Sequence, residues 1–493
     1  MSDSTLAERL ATFAATTSTA TLPPEVTASV RQRVLDVLGL CVAAYRLPTS
    51  HAAARYAADQ GGRGQAHAVG LTDPVPAPQA AFVNGVLAHS LDFDDTHLPS
   101  VLHPSASVVP AGLAAAEAAG ATGAETVAAI AAGLEVAVRL GMAGYDTELG
   151  NSVYFEHGQH ATSICGALGG AVAAAKLLAG APVAATPAEP ATLRRAGPDA
   201  VLHSLGVAAS MASGIIEANR TGGTVKRLHC GWAAHSAVTA AQLVARGFTG
   251  PPTVLEGRFG FFEAFLRDQV DLSAVTEGLG EQWSVPGIFF KPYPANHFTH
   301  AAIDGGLALR GRGIPVDRIT HIELRVPTAV IRTIGQPIET KRAPRTGYQA
   351  QFSGPYAVVA GLLGGSGLGV GLDDFSDELA TDPRRRDLMA LVDVVPDARC
   401  DAIFPNQFPA VVRVSTDDGQ QWTEEVLANR GGPQRPLSDA ELGVKFHQNV
   451  SGRLSPTVAE QVAERVLALD ALPGVGAVMA LLADLDDGSG RDV

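Results

Sequence analysis

TSICGALGGAVAAAKLLAG, residues 162–180, carries a single charge, Lys176, and is otherwise built from small and apolar residues. Alanine and glycine on most faces predict a helix buried among other helices, where short side chains let backbones approach closely. The sequence on either side agrees. In PPEVTASVRQRVLDVLGLCVAAYR (23–46), Val26, Val30, Val34, Leu38 and Cys41 recur at helical spacing behind two prolines. Thr122 and Glu125 form a capping box ahead of the run TVAAIAAGLEVAVRLG (126–141). The stretch 181–200, rich in proline and short residues, predicts an exposed loop.

Near residue 285 the pattern changes. HIELRVP (321–327) alternates Ile322, Leu324 and Val326 against His321, Glu323 and Arg325, which predicts a strand. AVVRVSTDDGQQWTEEVL (410–427) predicts a hairpin with Asp418-Gly419 at its turn. Helical segments, AAIDGGLALRG (301–311) and GPYAVVAGLLGG (354–365), lie between these strands. After Gly432 helices return, with Ser438 and Ser455 placed to cap them. The expected fold is mainly α: a large all-helical domain built from both chain ends (1–284 and 434–493) and a smaller α+β domain (285–433).

The 493 residues are 46% hydrophobic and 17% charged, which suits a large core. A net charge of −14 argues against a nucleic-acid partner, yet leaves room for an anionic small molecule held by a few cations. Cys41, Cys165, Cys230 and Cys400 form no CxxC pair, so buried reduced thiols are expected. Asp3 and Glu8 precede any apolar run, unlike a signal peptide, and the uncharged run 99–116 is interrupted by prolines and His103. The expectation is a cytoplasmic protein with no membrane partner.

Four segments could carry chemistry. AHSLDFDDTHLPSVLHPSASVVP (88–110) holds His89, Asp92, Asp94, Asp95, His97 and His103. The residue types suit a metal, but the spacing matches no metal motif, and Asp94, Asp95 and Ser105 also suit a helix end and the next helix's cap. In YFEHGQHATSICG (154–166), Glu156, His157 and His160 precede the small-residue helix, where backbone N–H groups favour a carboxylate. GGTVKRLHCGWAAHSAV (222–238) presents Lys226, Arg227 and His229 at another helix start, suiting an anion or simply a solvated basic turn. FFKPYPANHFTHAAID (289–304) gathers Lys291, Tyr293, Asn296, His297 and His300 around two prolines. Neither a dinucleotide fingerprint nor a GxSxG elbow occurs, so acid/base work on an anion is the chemistry that remains.

Together with GFTGPPTVLEGRFGFFEAF (247–265), QFSGPYAVVAGLL (351–363) and PLSDAELGVKF (436–446), these segments resemble the MmgE/PrpD family across nearly the whole chain. That resemblance implies a helical domain with an α+β lid, a homodimer, and a site between the domains without metal or organic cofactor. It implies a small di- or tricarboxylic acid as substrate. Matched residue by residue, Asp92, Thr96, His103, His160 and Lys226 fall on the family's active-site positions.

On that basis His103 is the candidate for proton transfer and Asp92 orients it. Lys226 with His160 stabilises a developing negative charge. Thr96, Arg227, His229, Lys291, Asn296 and His300 are candidate substrate contacts. Asp94 and Asp95 are expected to shape the turn, while His89 and His97 are left without a role. The expected activity is a lyase dehydrating a 2-methylcitrate-like hydroxy acid. An epimerase or isomerase of a dicarboxylic acid, a cis-aconitate-type decarboxylase and a non-enzymatic binding protein are the alternatives. Asn296 stands where decarboxylases of the family tend to carry a histidine, and an amide cannot relay a proton at neutral pH.

Overall fold

In the computed structural model the small-residue stretch is one helix, Ala161–Leu178, packed against the helices Ser105–Ala119, Gly123–Met142 and Val225–Val244. It is long and apolar enough to cross a membrane by length and composition, but nearly all of it is buried inside the protein. The structure describes residues 4–148, 150–179, 197–218 and 223–485. The chain divides into two units, Met1–Ile288 with Asn449–Val493, and Phe289–Gln448. The described residues are mostly helical, with a small sheet in the second unit.

Glycine decides how closely the helices of the first unit approach. A Cβ added to Gly169 would lie 2.5 Å from the Gly133 carbonyl oxygen and 2.7 Å from the Ala137 Cβ. A second crossing pairs Gly85 with Gly231, where a Cβ on Gly231 would sit 2.5 Å from the Phe82 carbonyl oxygen. Because backbone cannot step aside as a side chain can, Gly169→Val is expected to destabilise the fold by about 1–3 kcal/mol. The roughly 1 kcal/mol of helix propensity lost at glycine is too small to reverse that sign. Denaturant unfolding with an unchanged or higher midpoint in the variant would contradict this packing.

Helix starts follow local chemistry. The Glu125 N–H donates to Thr122 Oγ1 at 3.2 Å, and the Thr122 N–H donates to Glu125 Oε2 at 2.8 Å, the reciprocal pair of a capping box. Helix Pro24–Ala44 buries Val26, Val30, Val34, Leu38 and Cys41. Of the expected loop at 181–200, residues 181–196 lie outside the described residues, and its end is a correction: Gly197–Ala209 is helical. Pro198 falls in the first turn, where its missing N–H costs nothing, and Asp199 suits the positive end of the helix dipole.

The second unit carries a four-stranded sheet in the order Val392–Pro396, Ile319–Val326, Ala410–Thr416, Gln421–Val426. The first pair is parallel and the other two are antiparallel. Ile322, Leu324 and Val326 are buried while His321 is exposed, as their alternation predicts. Gly419 turns the last hairpin at φ +80°. Helices His300–Gly311 and Gly354–Leu363 pack on one another and share the core under the sheet. Ser438 and Ser455 accept the N–H groups of Glu441 and Val458, each at 3.3 Å.

Candidate active site

His89 ends the helix Ala77–His89, and four residues before it Gly85 crosses Gly231. That close approach brings His89 beside His229 and Cys230. The chain then reverses through Asp92, held at φ +53°, a left-handed conformation that aspartate tolerates better than most residues. The reversal returns Asp94, whose Oδ2 lies 2.7 Å from His89 Nδ1, with both side chains fully buried. Asp95 accepts from Arg33 Nη1 at 2.7 Å, from the Ser105 N–H at 3.2 Å and from the Ser105 hydroxyl. It thereby ties down the start of the Ser105–Ala119 helix. Arg33 is itself buried and also donates to the carbonyls of Val285 and Ile288, at 3.2 and 2.7 Å.

His103 Nδ1 lies 2.7 Å from the Asp95 carbonyl oxygen and 3.3 Å from Thr96 Oγ1. A carbonyl can only accept, so Nδ1 carries a hydrogen, and in the neutral ring Nε2 is the basic nitrogen. The His103 N–H donates to Thr162 Oγ1 at 3.2 Å, joining this loop to the start of the small-residue helix.

Four imidazoles form a row. Ring centroids are 5.3 Å apart for His103 and His89, 5.6 Å for His89 and His160, and 4.9 Å for His160 and His229. Burial pulls His89 down, but the Asp94 carboxylate and Cys230 outweigh it and push the ring up to about 10. Burial and then the positive charges of His89 and Lys226 hold His160 well below the usual histidine range and His229 at about 4. Both of these rings are neutral at pH 7. Their Nδ1 atoms are 2.9 Å apart, so one carries a hydrogen and the other accepts it. At the edge of the row, Lys226 Nζ donates to Asp92 Oδ1 at 3.3 Å from the first turn of the Val225–Val244 helix.

The structure therefore gathers Asp92, Thr96, His103, His160, Lys226 and His229. It leaves out Arg227, whose Nη1 donates to Thr49 Oγ1 at 3.2 Å. Residues 226, 229 and 230 share one face of their helix, while residue 227 lies about 100° away. His157 faces the Phe265 carbonyl oxygen at 3.1 Å, and Glu156 is exposed, accepting from Asn151 at 2.6 Å. His97 pairs with Ser100 at 2.7 Å, outside the row, and is held at about 4 by burial and by Arg33.

In the second unit Lys291 and His300 are buried. His300 Nε2 donates to the Ala295 carbonyl at 3.1 Å, and its ring lies 4.5 Å from that of His297. Asn296 caps the short helix that follows, its Oδ1 accepting the Phe298 N–H at 3.1 Å. Among the described residues no three His, Cys, Asp or Glu side chains converge to hold a metal ion.

The N-terminal domain model of MmgE/PrpD matches residues 8–188 and 179–273, and its C-terminal domain model matches 293–471. The chain belongs to the MmgE/PrpD family. Among its MmgE/PrpD relatives, cis-aconitate decarboxylase of Homo sapiens is 28% identical over 473 residues, covering 92% of this chain and 89% of that protein. Cis-aconitate decarboxylase of Aspergillus terreus is 24% identical over 487 residues, covering 95% of this chain and 94% of that protein. Within this MmgE/PrpD chain, the motifs alone give His89 no role, whereas the structure sets it at the centre of the imidazole row. The signal in the sequence is local: a histidine closing an apolar helix, with a carboxylate five residues on, across a turn.

Proposed function

We propose that this chain is a lyase acting on a small tricarboxylic acid, and that it releases carbon dioxide from a cis-aconitate-type substrate. The observation that carries the reading is the buried row of imidazoles with Lys226 at its edge. Loss of carbon dioxide from such an acid breaks the bond to the carboxylate on the saturated carbon. Its electron pair forms a new double bond, and the old double bond's pair takes a proton at the far carbon. Three things are asked of the protein: a cation for a carboxylate that stays, a proton donor at the alkene carbon, and a site shielded from water.

Lys226 supplies the cation, exchanging Asp92 for a substrate carboxylate at a helix start whose dipole favours the anion. His103 supplies the proton from Nε2 of its imidazolium form and returns to the neutral ring, because its Nδ1–H stays engaged by the Asp95 carbonyl beside Thr96. His160 and His229, neutral and locked to one another, offer a hydrogen bond without adding a second charge. The names of the relatives support decarboxylation over the dehydration expected from the motifs. One observation favours dehydration as the second reading: Asn296 serves as a helix cap, not as an acid.

Incubation with cis-aconitate, 2-methylcitrate, citrate and iminodisuccinate in D2O, followed by NMR, tests both. The expected result is carbon dioxide release from cis-aconitate, with a new terminal alkene and one deuterium on the neighbouring CH2. An alkene formed from the hydroxy acid would support dehydration instead. Deuterium uptake without net conversion would support an epimerase. No change in any of the acids would sink the lyase reading.

A further inference from the structure

We infer that His89 and Asp94 are a buried positioning pair that keeps one imidazolium charge fixed behind the reacting rings. Its consequence for turnover rests on the lyase reading above; the pair itself rests on geometry. Both side chains are fully buried and their Nδ1–Oδ2 distance is 2.7 Å. A carboxylate taken out of water needs a positive partner close by, and a hydrogen-bonded imidazolium supplies one. Asp94 Oδ2 is nearest to His89, with His103 Nδ1 at 4.0 Å. His89 lies between His103 and His160 in the row, enclosed by protein, so it acts through those rings and not on substrate.

The charged and titratable groups around it come from several elements. Asp94 lies on its own turn, His103 before the Ser105–Ala119 helix, and His160 before the Ala161–Leu178 helix. The Val225–Val244 helix contributes Lys226, His229 and Cys230. Arg33, on the Pro24–Ala44 helix, is committed to Asp95. A fixed positive charge at His89 disfavours a second one at His160 or His229, which keeps those two rings neutral and their tautomers complementary.

Asp94→Asn keeps the shape and removes the negative charge. Burial then governs His89, which loses its proton. With that positive charge gone, His160 and His229 each titrate higher than before, since a nearby cation lowers a histidine's affinity for a proton. The acid limb of the kcat/KM profile is therefore expected to move to higher pH in Asp94→Asn, with kcat down roughly tenfold or more. A purely structural role would lower activity alike at every pH and leave the limb in place.

The deciding experiment is a pH titration of the full chain labelled with 15N-histidine, read by NMR. The expected result is one ring still doubly protonated at about pH 8.5, well above ordinary histidine behaviour, and absent from both His89→Gln and Asp94→Asn. Wild-type protein with every ring neutral at that pH would overturn the inference without recourse to any variant. An unmoved acid limb in a folded Asp94→Asn would overturn its part in turnover. If the persistent imidazolium is seen and none of the four acids is converted, the pair stands and the lyase reading falls.

Discussion

Replacing Lys226 by alanine is expected to lower kcat/KM for the polycarboxylate by about 10²–10³-fold, the usual loss when one donor to a developing negative charge is removed. Stability should scarcely change. The lysine side chain is 22% exposed and pairs with Asp92 at 3.3 Å, and partly exposed ion pairs contribute about 0–1 kcal/mol. Because Asp92 would then keep its carboxylate without the cation, the loss should fall on both substrate binding and turnover. Steady-state kinetics beside a thermal melt checks this. A fully active variant would remove Lys226 from the site, and an unfolded one would make it structural.

His103→Asn is expected to lower kcat by roughly 10²–10⁴-fold with a smaller change in KM, the signature of a lost proton donor. Asparagine is the informative choice. Its amide N–H can still donate to the Asp95 carbonyl, as His103 Nδ1 does at 2.7 Å, while the atom corresponding to Nε2 is gone. The loop therefore keeps its anchor and only the chemistry is removed. A small loss in His103→Asn beside a large one in a variant unable to make the Asp95 bond, such as His103→Leu, would point to positioning instead of proton transfer.

Much of the architecture is legible in the sequence because its causes are local. Thr122 and Glu125 begin a helix through contacts three residues apart, and Ile322, Leu324 and Val326 bury one face of a strand by simple alternation. The strand Val392–Pro396 escapes notice because its partner, Ile319–Val326, lies some seventy residues away and the pairing is parallel. The run LMALVDVVP (388–396) offers apolar residues without a period that separates helix from strand.

The candidate site divides the same way. Lys226 and His229 share a face by their spacing, and that same spacing turns Arg227 away toward Thr49. His89 acquires its place only through the contact of Gly85 with Gly231, a meeting of two helices that neither segment announces by itself. Asp94 and Asp95, adjacent in sequence, serve different partners: one holds His89, and the other joins Arg33 to the next helix start.

The most direct measurement is a crystal structure of the His103→Asn variant with cis-aconitate bound. A substrate carboxylate is expected at about 3 Å from Lys226 Nζ, with an alkene carbon about 3–3.5 Å from where His103 Nε2 would lie. A ligand bound elsewhere, with Lys226 still on Asp92 and the imidazole row untouched, would contradict the account.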